Sequence, residues 1–210
     1  MEHIKRIECG HVNCYMVYND NAAVLIDTAE PPYGDMLVKE CEQYPVKLIL
    51  ITHAHKDHTG NAALLAERLG VPIAMGKADA NLLTDPQCQP MSAYNMIGEN
   101  MLTHIKQNAG KDTTQPFAPS VFVQDNDTLE QYGINAKIIA LPGHTDGSVG
   151  LDTGDAVIVG DALFNIGTPT LPVIYHNKDA MKKSAEKISA LGQRTVYFGH
   201  GVPVENREWE

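Results

Sequence analysis

Thr52-His53-Ala54-His55-Lys56-Asp57-His58 puts three histidines and one aspartate within seven residues of a chain that holds 9 histidines in all. The apolar run at 46–51 precedes this stretch, and an Ala-, Leu- and Glu-rich segment at 61–69, closed by Gly70, follows it. A continuous apolar run of that length reads as a buried strand, and the later segment as a helix with a glycine stop. The motif therefore occupies the loop that leaves a strand and enters a helix. Alternate residues of an extended segment project to one side, so His53 and His55 can converge on one metal ion. Asp57 and His58, at the turn into the helix, can face a second. Imidazole nitrogen and carboxylate oxygen are the donors a borderline cation such as zinc accepts, and an open coordination position makes such a site catalytic rather than structural.

Three further residues share this setting. His144 follows the apolar run at 138–141, Asp161 follows 157–159, and His200 follows 196–198. Gly143, Gly160, Gly199 and Gly201 adjoin them, and small residues let a backbone turn sharply beside a buried ion. Their common place at strand ends predicts that these side chains gather at one sheet edge.

The remaining pattern is that of an α/β chain. Apolar runs at 15–18 and 22–26 flank Asn19, Asp20 and Asn21 as a hairpin; 35–44 suits an amphipathic helix and 71–75 another strand. Strand signals return at 121–123, 136–140, 148–151 and 156–159, with Thr153 and Gly154 as a turn, and a helix at 179–191 leads into a strand at 195–198. Between 76 and 119 the pattern is mixed: Pro86 and Pro90 interrupt it, 91–107 has helical composition, and 110–119 reads as loop. We expect one domain over 1–210, its strands in two halves, with 76–119 as an inserted, lid-like element.

Composition excludes several classes. At 43% hydrophobic and 20% charged residues the chain has the makeup of a globular protein. Sixteen basic against 26 acidic residues give a net charge of −10, which repels a phosphate backbone, so no nucleic-acid partner is expected. No stretch approaches the ~20 apolar residues of a membrane span, and Glu2, Lys5, Arg6 and Glu8 stand where a signal peptide needs an apolar core. A cytoplasmic protein without a membrane partner is expected. Cys9, Cys14, Cys41 and Cys88 form no CxxC motif and read as reduced, mostly buried thiols.

The ordered set H-x-H-x-D-H, then His144, Asp161 and His200, resembles the metallo-β-lactamase superfamily. The likeness covers nearly the whole chain, including Leu25-Ile26-Asp27-Thr28, Leu141-Pro142-Gly143-His144-Thr145 and Gly160-Asp161-Ala162-Leu163-Phe164. It implies a four-layer αββα sandwich with a dinuclear metal site at one edge. It further implies that His53, His55 and His144 hold one ion, that Asp57, His58 and His200 hold the other, and that Asp161 bridges both. The ions implied are two divalent metals, zinc foremost, with iron or manganese as alternatives.

The same resemblance narrows the activity. Metallo-β-lactamases proper carry Cys or Ser at the position of Asp161, which sets β-lactam hydrolysis behind other readings. Nuclease branches add a domain or an RNA-gripping exosite that neither length nor charge accommodates. The flavin-linked di-iron branch has Glu in place of His55. What remains looks like a glyoxalase II-like or lactonase-like core without a C-terminal helical domain. Such a hydrolase uses a metal-bridging hydroxide to attack a thioester, lactone or related ester carbonyl, with Asp57 orienting it or shuttling its proton. The alternative is an oxidoreductase similar to persulfide dioxygenases, with one iron held by His53, His144 and Asp161. Two divalent ions, two carboxylates and one hydroxide sum to about +1, which favours a small anionic substrate.

Around this set, Asp27, Thr145 and Ser148 are candidate hydrogen-bond partners that orient the ligand imidazoles. Tyr175 is a candidate oxyanion donor at the pocket wall, against the simpler reading of an aromatic packed over a loop. His3, His11, His104 and His176 read as surface or loop residues.

Overall fold

The computed structural model describes residues 2–108 and 114–209. β1 (His3–Cys9), β2 (Val12–Tyr18) and β3 (Ala23–Ile26) form an antiparallel meander, and α1 (Gly34–Cys41) crosses to β4 (Val46–Ile51), which lies parallel to β3. A single turn α2 (Lys56–Thr59) and α3 (Ala62–Leu69) lead to β5 (Ile73–Gly76), parallel to β4. β6 (Ser92–Ala93) and α4 (Met96–Asn108) come before β7 (Val121–Val123), which completes a six-stranded sheet in the order β1-β2-β3-β4-β5-β7.

The second half supplies β8 (Lys137–Ala140), β9 (Val149–Asp152), β10 (Ala156–Ile158), the small hairpin β11 (Phe164–Ile166) with β12 (Thr168–Thr170), and β13 (Ile174–Tyr175). α5 (Lys178–Ala190), β14 (Thr195–Tyr197) and β15 (Val204–Glu205) follow, giving a five-stranded sheet β15-β14-β10-β9-β8. β13 pairs with β6, so the inserted segment is stitched to the second half.

The apolar runs are continuous because the strands are covered on both faces. Alternation along β3, β4 and β5 sends Leu25, Ile49, Ile51 and Met75 into one cluster with Leu37 of α1 and Leu65 of α3. Val24, Ile26, Leu48, Leu50 and Ala74 point the other way and meet Ile138, Leu151 and Ile158 of the second sheet. The far face of that sheet, with Ile139, Val157 and Val196, packs on Met181, Ala185 and Ile188 of α5. Helices, sheet, sheet and helix make the expected αββα sandwich.

The α3 helix ends as its sequence predicts, at Gly70 in the left-handed region with φ 66°. The edge strand β1 went unrecognised, because only Ile7 and Cys9 of its seven residues are buried and its alternation is weak. In the inserted segment the helix starts at Met96, after a two-residue strand, rather than at 91. Positions 110–113 of the expected loop lie outside the described residues. Three cysteines are buried and free, and Cys88 is free and exposed. Among the described residues no helix is long and apolar enough to cross a membrane.

Candidate metal centre

All seven motif residues meet at one end of the sandwich. β4 delivers His53 and His55, the α2 turn delivers Asp57 and His58, the β8–β9 loop carries His144, a tight turn after β10 carries Asp161, and the segment after β14 carries His200. His55 Nδ1 lies 3.1 Å from His53 Nε2 and 2.9 Å from His144 Nε2. Asp57 Oδ2 lies 3.6 Å from His58 Nε2 and 3.4 Å from His200 Nε2. Asp161 stands between the two sets: its Oδ2 is 3.8, 3.6 and 3.3 Å from Nε2 of His53, His144 and His200, and its Oδ1 is 3.5 Å from Nε2 of His58. Three groups of donor atoms therefore form, His53/His55/His144, Asp57/His58/His200 and His53/His58/Asp161, each within 4.8 Å.

The outer nitrogens fix which way the rings face. His144 Nδ1 donates to the Ile174 carbonyl at 2.9 Å and His200 Nδ1 to the His11 carbonyl at 2.7 Å. His58 Nδ1 bonds Asp27 Oδ2 at 2.8 Å. His53 Nδ1 meets Thr52 Oγ1 at 3.1 Å, and that hydroxyl donates to Asp27 Oδ2 at 2.8 Å. With the outer proton placed on Nδ1, each of these rings aims its Nε2 lone pair at the centre.

This donor set fits divalent metal ions. Three imidazole nitrogens that face one another at about hydrogen-bond distance repel unless a cation or a proton lies between them. His58 Nε2 and Asp161 Oδ1 are buried and lack a hydrogen-bond partner, although buried polar atoms are ordinarily paired. Both atoms point into the group that a metal would fill.

In the metal-free protein, protons substitute in part for that charge. Burial disfavours the His200 imidazolium, yet the facing Asp161 and Asp57 carboxylates outweigh it and lift its pKa to about 10. His58 is raised likewise: burial opposes the charge, and Asp161, Asp57 and Asp27 overcome it. Burial and the neighbouring His55 depress His144 to about 4, and burial also depresses His53 and His55. Burial alone would raise Asp57 and Asp161, but the adjacent histidines hold both below the usual carboxylate range.

The signs then give a pH dependence. A raised histidine contributes stability that is lost as pH climbs from its unfolded value of about 6.5 to the folded one, and a depressed histidine removes stability as pH falls below 6.5. The depressed carboxylates add a further loss below about 4. Metal-free protein should therefore be most stable near pH 6.5, losing stability on the alkaline side up to about 10 through His200 and on the acid side toward 4 through His144. Urea midpoints across pH 4–10 in chelator check this; a flat profile would contradict it.

Two of the expected orienting residues act elsewhere. Asp27 touches the ligand rings as anticipated, but Thr145 Oγ1 donates to Asp79 Oδ2 at 2.7 Å and lies 2.7 Å from Ser148 Oγ, so this pair braces a loop rather than an imidazole. Asp79, wholly buried, was not recognised, since a lone Asp in a polar stretch carries no local signal. Asn13 was missed because a single polar residue between Val12 and Cys14 in an apolar strand does not reveal its partners; its side chain donates to the carbonyls of Phe198 and Gly201 and so holds the segment that carries His200. His11 is exposed, as expected of a loop residue, but its ring also stacks on His200 with centroids 5.7 Å apart. Tyr175 packs edge-on against Tyr94, and His176 donates from Nδ1 to the Pro90 carbonyl at 3.0 Å.

A two-sheet sandwich with clustered His and Asp donors at one edge, able to hold metal ions, is an architecture of a recognisable kind. The Metallo-beta-lactamase superfamily signature matches residues 7–200, and the chain belongs to that superfamily. It is 28% identical over 205 residues to the probable metallo-hydrolase YqgX of Bacillus subtilis, covering 94% of this chain and 89% of that protein. It is 28% identical over 162 residues to the hydroxyacylglutathione hydrolase GloC of Haemophilus influenzae, covering 74% of this chain and 68% of that one. In structure it is similar to the BLEG-1 B3 metallo-beta-lactamase, with a TM-score of 0.74, 24% identity and coverage of 97% and 94% of the two chains.

Proposed function

We propose that this protein is a dinuclear metal-dependent hydrolase that cleaves a thioester or a related ester or lactone. The observation that carries the reading is the convergence of His53, His55 and His144 on one side of Asp161 and of Asp57, His58 and His200 on the other. Similarity to a hydroxyacylglutathione hydrolase supports the thioester as the first substrate class to try.

Two divalent ions, zinc foremost, would supply a nucleophile at neutral pH and polarise the substrate carbonyl. The chain's own residues do the rest. His53, His55 and His144 would hold one ion, Asp57, His58 and His200 the other, and Asp161 would bridge them. Asp57 is the more accessible carboxylate, its side chain 27% exposed against 4% for Asp161, so it is the group placed to accept a proton and pass it to solvent. Phe164 packs on the rings of His144 and His200, with centroids 5.8 and 5.4 Å away, and keeps water from that flank. Two ions of charge +2 exceed the two donor carboxylates, so the pocket favours a small anionic substrate even though the protein's net charge is −10.

The described parts of the inserted segment, 76–108 and 114–119, would form the wall or lid over this site. Tyr94, Met96, Ile97 and Ile105 are exposed along it, and β6 pairs with the strand whose Ile174 carbonyl orients His144. A cytoplasmic location fits such an activity.

Metal analysis alongside a panel of thioesters, lactones and a β-lactam tests the proposal. Two zinc ions per chain, thioester or lactone turnover, and loss of at least about a thousandfold of that turnover on chelation are expected. One iron per chain with oxygen uptake, or turnover that survives metal removal, would overturn it.

A further inference from the structure

Asp79 lies in the turn after β5, away from the donor cluster in sequence, yet both loops that build the three-histidine group hang on its carboxylate. Its Oδ2 accepts the backbone N–H of Ala54 at 3.0 Å, and Ala54 is the residue between His53 and His55. The same oxygen accepts the Thr145 hydroxyl at 2.7 Å, one residue beyond His144. Oδ1 accepts the Gly147 N–H at 2.7 Å and a Gln89 amide N–H at 3.3 Å, while the Gln89 carbonyl oxygen takes the Asp146 N–H at 2.7 Å. Such close approach needs Gly147: a Cβ there would stand 2.7 Å from Asp79 Cγ.

We propose that Asp79 is a positioning residue that sets the separation of the His53/His55 loop from His144, and so controls the affinity of that ion position alone. The inference rests on the dinuclear reading above. His58 and His200 take their orientation from Asp27 and from the His11 carbonyl, so the second position should not depend on Asp79. An Asn at 79 would keep the shape but offer only one oxygen to four donors, turning an N–H toward the donors that the other oxygen accepted. Loss of a group that hydrogen-bonds a ligating histidine directly costs about 10- to 100-fold in metal affinity. Asp79, which acts on two ligand loops at once through Ala54, Thr145 and Gly147, is expected to act on that scale.

The experiment titrates zinc and Co(II) into metal-free wild type and Asp79→Asn, with chelator competition giving the two affinities. His144→Ala and His200→Ala identify which Co(II) absorption band belongs to which position. Asp79→Asn should weaken the His53/His55/His144 position by about 10- to 100-fold and leave the other within about threefold. Equal weakening of both positions, or of neither, would overturn the proposal; a role limited to stability would lower the melting temperature without separating the two affinities. If Asp79→Asn does not fold, Thr145→Val removes one of the four donors and should shift the same position in the same direction. Should the wild type bind a single ion, the dinuclear reading falls, and Asp79 is then judged on that ion's affinity, which must drop in the variant.

Discussion

Replacing Asp161 with Asn should remove most bound metal and lower hydrolysis by about a thousandfold or more, beyond the usual loss of one charge-stabilising donor. Asp161 is the carboxylate that reaches both sets, with four Nε2 atoms between 3.3 and 3.8 Å from its oxygens. Asn keeps the volume but removes the charge facing His53, His58, His144 and His200, and it turns an N–H toward lone pairs. The metal-free variant provides an independent readout. The Asp161 carboxylate is the leading influence raising His200 toward its pKa of about 10, so that value should fall toward 6.5 when the charge is lost. Metal content, turnover and an NMR titration of the His200 ring measure the three effects. A variant that keeps two ions and near-native turnover would refute the bridging role.

Asp27 should show the second large effect, and here stability and metal affinity fall together. Its two oxygens receive the Thr52 N–H, the Thr52 hydroxyl and His58 Nδ1, all at 2.8 Å. One buried carboxylate thus steers His58 directly and His53 through Thr52, a ligand from each set. Removing one partner of a buried charged pair typically costs about 3 kcal/mol or more. The backbone at Asp27 has φ 59°, a left-handed region that Asn adopts at lower cost than Ala. Asp27→Asn should therefore lose metal affinity by about 10- to 100-fold with a moderate fall in melting temperature. Asp27→Ala should add strain of roughly 1–2 kcal/mol to that loss. Zinc competition and thermal melts of the two variants separate the contributions, and equal behaviour would show that the ring contacts matter little.

The reach of the sequence is clearest at Asp27 and Asp79. Asp27 is visible because it ends an apolar strand within a four-residue likeness to the superfamily. Asp79 has no such neighbour: its role comes from Ala54, Thr145 and Gly147, which lie 25, 66 and 68 positions away. Thr145 and Ser148 were legible as polar residues beside a ligand, but whether a hydroxyl faces an imidazole or a buried carboxylate depends on how two loops pack. The edge strand β1 escaped notice because only two of its side chains are buried, although the turn after it presents the His11 carbonyl to His200.

What the sequence by itself determined was the succession of doubly covered strands and helices and the seven candidate donors, while the αββα layering was implied by the likeness to the superfamily. Doubly covered strands require unbroken apolar runs, and a metal requires His and Asp at strand ends, so both leave local marks on the chain. Only the tertiary structure decided which nitrogen of each ring faces inward and which distant acceptors hold the loops in place. Those choices are made by hydrogen bonds between residues far apart in the chain, and no local pattern encodes a partner that only folding brings near.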